Sequence, residues 1–66
     1  MIDIAAARRE LGLTQKQLAA VLGVKVGSIS TWERGKHINP LAEFALVALL
    51  SGYRPPNWPK RDGKDT

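Results

Sequence analysis

Apolar residues along this chain recur at helical spacing in four clusters, and a glycine follows each cluster. Strict apolar/polar alternation is absent, so no strand is predicted. The first cluster predicts a helix from about Ile2 or Asp3 to Leu11. Asp3 suits the N-cap, Ile4, Ala7, Arg8 and Leu11 share one face, and Gly12 supplies the stop. The second helix opens with Thr14-Gln15-Lys16-Gln17, the spacing of a capping box in which Thr14 and Gln17 cap each other's amides. Leu18, Ala19 and Leu22 form its inward stripe, and Gly23 ends it at a position that calls for positive φ. A third helix covers roughly Val26 to Arg34, with Ile29 and Trp32 inward and Gly35 at its end.

The fourth helix begins at Asn39-Pro40, a cap followed by proline at the first helical position, and runs to about Ser51 before Gly52. Its pattern is apolar nearly all round. Leu41, Phe44, Ala45 and Ala48 are expected to face the core, which turns Leu46, Val47 and Leu50 outward. A helix apolar on two faces in so small a chain calls for a second buried contact. Two arrangements supply it: pairing with a second copy, or a fold-back of the Tyr53–Pro59 segment that lays Trp58 over the patch. The segment from Tyr53 on carries three prolines and many charges, which argues against helix. Disorder is expected for about the last six residues.

Sixty-six residues make one domain at most, too small to bury a large core. There is no cysteine, so neither disulfides nor a thiolate metal site contributes, and one histidine, His37, makes no metal cage. The longest apolar run, Phe44 to Leu50, is about two turns, far short of the roughly 20 residues of a membrane span. The N-terminus lacks the basic and apolar regions of a signal peptide. A soluble, cytoplasmic protein without cofactor is expected. Ten Lys/Arg against six Asp/Glu give a net charge of +4, which favours polyanionic partners. No carboxylate pair, Cys/His pair or phosphate-cradling glycine loop suggests an enzyme.

The most informative stretch runs from Leu11 to Gly35. Two short helices joined only by Gly23-Val24-Lys25 make a helix-turn-helix arrangement. Ala19 is small enough to let the two helices approach, and Val24 fills the corner between them. The blocks Leu11-Gly12-Leu13-Thr14-Gln15, Leu18-Ala19, Leu22-Gly23-Val24, Ser28-Ile29-Ser30-Thr31-Trp32-Glu33-Arg34-Gly35-Lys36 and Pro40 resemble the lambda-repressor/Cro type of helix-turn-helix family, over about Ile4 to Ser51. The resemblance implies an all-α, four- to five-helix DNA-binding domain over residues 1–52, with a short Pro-rich, charged tail over 53–66.

It also implies roles. The third helix would lie in the major groove with its N-terminal end toward the bases. Lys25, Val26, Gly27, Ser28 and Thr31 then become the base-contact set: Ser28 and Thr31 through hydrogen bonds, Val26 through a thymine methyl. Thr14, Gln15 and Lys16 at the start of the second helix, and Arg34 and Lys36 past the third, would grip phosphates on either side. Arg8 and Glu33 occupy the places of a structural ion pair. The chain departs from the family at Lys25, where Ser or Thr is common, and at Val26 and Gly27, where Gln or Arg often makes bidentate base contacts. Whether Val26 and Gly27 read bases or only space the helix stays open. His37 is a possible phosphate contact, though a loop histidine is more often simply solvated, and Asn39 is better explained as a cap than as a base reader.

These readings imply duplex DNA as partner, a pseudo-palindromic operator, and a weak homodimer formed at least on DNA. With 66 residues no separate switch domain is expected, an expectation that favours a Cro-like regulator of phage or prophage type. A protein-interaction or antitoxin-like module on the same fold is the alternative. Salt-dependent DNA binding separates the two.

Overall fold

Three local capping arrangements set the frame. In the computed structural model, which describes residues 3–59, helix α1 spans Ile4–Leu11, α2 Gln15–Leu22, α3 Val26–Glu33 and α4 Pro40–Leu50. Asp3 accepts the Ala6 amide hydrogen at 3.1 Å and starts α1. Thr14 Oγ1 accepts from the Gln17 amide at 3.0 Å while Gln17 Oε1 accepts from the Thr14 amide at 3.0 Å, the reciprocal box that starts α2. Asn39 Oδ1 accepts from the Leu41 amide at 2.8 Å and starts α4 with Pro40 in its first turn. Each bond satisfies an amide that the helix itself cannot. Helix α3 differs: its N-cap, Lys25, makes no side-chain capping bond.

Boundaries differ from the sequence expectation by a residue or so. Arg34 and Ser51 are caps rather than last helical residues. A start of α1 at Ile2, and disorder over the last six residues, concern positions outside those described. Gly23, with φ 76°, turns the chain from α2 into the corner that leads to α3.

The core lies where the four helices meet. Ile4, Ala7, Leu11, Leu13, Leu18, Ala19, Ile29, Leu46 and Leu49 are buried together, with Val24 and Trp32 packed against them. Leu18, Ile29 and Leu46 are wholly inaccessible. Burying a leucine or isoleucine of this kind stabilises by about 1.5–3 kcal/mol. Ala19 is 4 % exposed at the crossing of α2 with α3, where its single methyl keeps the two helices close. The sequence reading did not single out Leu13, which the α1–α2 turn carries inward.

The inward face of α4 is a correction. Leu41 and Phe44, expected in the core, are 77 % and 75 % exposed, whereas Leu46, expected outside, is 0 % exposed. Ala42, Leu46 and Leu49 form the buried stripe, and Val47 and Leu50 do face outward, at 47 % and 40 % exposure. An all-apolar helix has no polar face to fix its rotation, so the surface offered by the other helices decided it.

Beyond α4 the chain returns to the helices. Arg54 Nη1 donates to the Leu49 carbonyl at 2.9 Å, and Asn57 Nδ2 donates to the Ala20 carbonyl at 3.1 Å. The Arg54 guanidinium sits 4.3 Å from the Trp58 ring centroid, and Trp58 packs on the core. The fold-back therefore exists, but it leaves Phe44, Val47 and Leu50 uncovered.

Candidate nucleic-acid interface

Helix α3 is held from behind at its middle and at its C-terminal end. Ile29 anchors its middle in the core with no exposed surface, and Trp32 packs beside it. At the C-terminal end, Glu33 is bound by two other helices. Arg8 Nε of α1 donates to Glu33 Oε2 at 2.7 Å, and Gln15 Nε2 of α2 donates to Glu33 Oε1 at 2.9 Å. Arg8 also donates through Nη1 to the Leu13 carbonyl at 3.0 Å. One carboxylate thus joins α1, α2 and α3, and one guanidinium also fixes the turn between α1 and α2.

The pair is half-buried, with side-chain exposures of 19 % for Arg8 and 13 % for Glu33. Burial on its own would raise the Glu33 carboxyl pKa. The hydrogen bonds from Arg8 and Gln15, with the charges of Arg8 and Arg9, outweigh it and hold that carboxyl below its ordinary range. Glu33 therefore stays charged in the folded protein down to more acidic pH than a free glutamate does.

With Ile29, Trp32 and Glu33 turned inward, the opposite side of α3 carries Gly27, Thr31 and Arg34, with Ser30 at its edge. Val26, Gly27 and Arg34 are exposed, while Ser28, Ser30 and Thr31 are half-buried. Lys25 is exposed before the first turn of α3. Lys36 is exposed just past the last turn, its amide donating back to the Thr31 carbonyl at 3.4 Å. Two lysines and an arginine thus bracket a face of small side chains.

At the start of α2, Thr14 and Lys16 are exposed and Gln15 is half-buried. Thr14 is engaged in its capping box and Gln15 with Glu33. The Gln15–Glu33 bond was not foreseen from sequence; it links residues 18 positions apart and depends on how α2 sits against α3. Gln15 retains a second amide hydrogen and its carbonyl oxygen for a ligand. His37 is exposed in the loop before α4, and Asn39 serves as the α4 cap. Of the residues proposed for the α4 patch, Val47 and Leu50 are on the surface, Leu46 is not, and Trp58 lies against the core. No helix among the described residues is long and apolar enough to cross a membrane.

A family model described as helix-turn-helix matches residues 4–50, from the first residue of α1 to the last of α4. Comparison with curated proteins and with solved structures returned no match.

Proposed function

Because the chain belongs to the lambda-repressor/Cro-type helix-turn-helix family, a family of DNA-binding, generally regulatory domains, we propose that it is a sequence-specific transcription regulator of Cro-like or repressor-like type. Residues 1–52 are its DNA-binding unit. One observation supports this reading above the others. Helix α3 is braced from behind by Ile29 and by the Arg8–Glu33–Gln15 network, while its free face is small, polar and flanked by Lys25, Arg34 and Lys36. A rigid helix with small side chains suits the major groove, and flanking cations suit the phosphates on its rims.

In this reading Ser28 and Thr31 hydrogen-bond to base edges, Val26 and Gly27 approach them closely, and Lys25 reaches a base or a phosphate. Thr14, Gln15 and Lys16 hold one backbone, and Arg34 and Lys36 the other. The protein acts in the cytoplasm, on the nucleoid.

The exposed side of α4 supports a homodimer on a pseudo-palindromic operator. Leu41, Phe44, Val47 and Leu50 project together, and a shallow hollow lined by Pro40, Glu43, Phe44 and Val47 opens beside the protruding Phe44 ring. A protrusion next to a hollow on the same patch is what a twofold, self-complementary contact needs. The same apolar face favours the second reading, a protein-interaction or antitoxin-like module, in which another protein covers α4.

Selecting bound duplexes from a random pool, followed by a salt titration of the winner, tests the proposal. The expected result is one enriched site with inverted half-sites about one helical turn apart, and an affinity that falls steeply with salt. No detectable binding to any duplex at low salt would leave the interaction-module reading in its place.

A further inference from the structure

The last turn of a helix leaves carbonyl groups without partners inside the helix, and its end carries partial negative charge. Helices α2 and α4 both end with no basic residue in the last turn. The glycines that follow answer part of the need. The Gly23 amide donates to the Ala20 carbonyl at 3.3 Å, and the Gly52 amide to the Leu49 carbonyl at 3.0 Å. A further part comes, for both helices, from the stretch Arg54-Pro55-Pro56-Asn57-Trp58. This stretch lies beyond residues 4–50, which match the family model, so the family likeness assigns it no role.

Its residues divide the work. Arg54 brings the positive charge that the end of α4 lacks, donating from Nη1 to the carbonyls of Leu49 and Tyr53 at 2.9 and 2.8 Å. The Trp58 amide donates to the Pro55 carbonyl at 3.0 Å and closes a tight turn. Pro56 presets φ at the first central position of that turn, and asparagine is a favoured turn residue at the second. The turn brings the Asn57 side chain to the end of α2, where Nδ2 donates to the Ala20 carbonyl at 3.1 Å and lies 3.5 Å from that of Val21. Trp58 packs against the core and takes the Arg54 guanidinium over its ring at 4.3 Å. Two helix ends far apart in sequence, at Leu22 and Leu50, are thus tied by one short element.

The end of α2 is where the chain turns toward α3. Gly23, in the left-handed conformation, makes that turn, and its amide shares the Ala20 carbonyl oxygen with Asn57. Helix α3 is anchored in its middle by Ile29 and at its C-terminal end by Glu33, but its first turn has no side-chain cap. The position of that first turn therefore depends on the corner, and the corner on the end of α2. We propose that residues 54–58 form a clasp that belongs to the DNA-binding unit: it ties the end of α2 to the end of α4 and so positions the corner, and the start of α3, for the duplex. The unit then extends to Trp58. This role rests on the DNA-binding reading for its consequence, whereas the clasp itself is decided without DNA.

The test uses two substitutions in the full chain that leave the net charge unchanged, Asn57→Ala and Trp58→Leu. Each is expected to lower the melting temperature by about 4–8 °C, the shift that one lost hydrogen bond or stacking contact gives in a domain this small. Each should also move the backbone amide resonances of residues 26–28, which the clasp does not touch. On the duplex recovered by selection, at a temperature where all the proteins are folded, each should lose about threefold to tenfold in affinity. The salt dependence should match the wild type, since no phosphate contact is removed. Ala7→Gly in α1 is the control for stability alone. It should melt lower by a similar amount, because glycine weakens a helix interior, and bind as the wild type does.

Clasp variants with unchanged melting temperature and unchanged resonances at residues 26–28 would overturn the inference while leaving DNA binding intact. So would variants that melt lower yet bind the duplex as tightly as the wild type, or a loss of affinity that Ala7→Gly reproduces, since either result makes the segment a source of stability only. Absence of duplex binding by the wild-type protein would overturn the DNA-binding reading and, with it, the role given to the clasp there.

Discussion

Gln15 and Glu33, the first residue of α2 and the last of α3, are joined by a 2.9 Å hydrogen bond from the glutamine amide to Oε1 of the carboxylate. The bond fixes the orientation of the side chain proposed to meet a phosphate, and it does so through the helix proposed to meet the bases. The proposed contact on one DNA strand and the proposed contact in the groove would thereby be set in one register.

Gln15→Ala should weaken binding to every duplex by a similar factor, because phosphate contacts carry no sequence information. Its effect on stability should be modest, about 1 kcal/mol, since the carboxylate keeps its bond to Arg8. Gln15→Glu should be worse on both counts: it places a second carboxylate against Glu33 and a negative charge against the phosphate. Thr31→Ala, in contrast, should relax preference at a single base pair by about 1–3 kcal/mol. Affinities on matched and mismatched duplexes distinguish these outcomes. Equal losses on all sequences from both alanine variants would refute the separation of roles.

The Arg8–Glu33 pair should be more costly to break than to replace. Arg8→Ala removes the 2.7 Å bond to Glu33 and the 3.0 Å bond to the Leu13 carbonyl together. A loss of about 2–3 kcal/mol is expected, in the range for hydrogen bonds to charged groups. The double variant Arg8→Met with Glu33→Leu should recover part of that loss, because neither charge is left half-buried without its partner. Urea denaturation of the three proteins gives the comparison. A double variant no more stable than Arg8→Ala would show that the pair itself carries the energy.

Acid should destabilise the protein through Glu33. Burial pushes this carboxyl up, but Arg8 and Gln15, with the charge of Arg9, bring it below its ordinary value of 4.5. The folded state therefore binds fewer protons than the unfolded state in the window below that value, and stability there rises with pH. The contribution is complete above the unfolded value and disappears as pH falls through the folded one. Melting temperatures measured from about pH 7 down to about pH 3 should hold until near pH 5 and then drop. Glu33→Gln should be less stable at neutral pH and show a shallower acid decline; an unchanged slope would assign the acid sensitivity to other carboxylates.

The parts of this structure that sequence conveyed are those decided locally. Asp3, the Thr14–Gln17 box and Asn39-Pro40 start their helices through bonds to residues two or three positions away, so residue type and spacing suffice. The inward placement of Ile29 and Trp32 followed from α3's own mixture of polar and apolar residues. The rotation of α4 did not, because Pro-Leu-Ala-Glu-Phe-Ala-Leu-Val-Ala-Leu-Leu has a single charge, and either face could serve as core. The bond between Gln15 and Glu33, and those from Asn57 to α2, depend on tertiary placement and leave no trace in local pattern. Family resemblance supplied the proximity of Arg8 to Glu33, which local pattern does not contain either.

The two sides of α4 should therefore respond to mutation in opposite ways, although both are apolar in sequence. Leu46 has no exposed surface and packs in the common core, so Leu46→Ala should cost about 2–5 kcal/mol in lost contacts and residual cavity. That is a large share of the stability of a domain this size, on the order of 3–9 kcal/mol. Phe44 is 75 % exposed, so Phe44→Ser should change monomer stability by no more than about 0.5 kcal/mol. If α4 is the dimer surface, Phe44→Ser should nonetheless abolish self-association and the cooperative occupation of paired half-sites, with binding to an isolated half-site unchanged. Analytical ultracentrifugation and titrations on single and paired half-sites measure the two effects separately. A Phe44→Ser variant that keeps both self-association and cooperativity would exclude this face as the contact between copies, whereas one that loses half-site binding too would place Phe44 in the folding or DNA-binding unit rather than at a dimer surface.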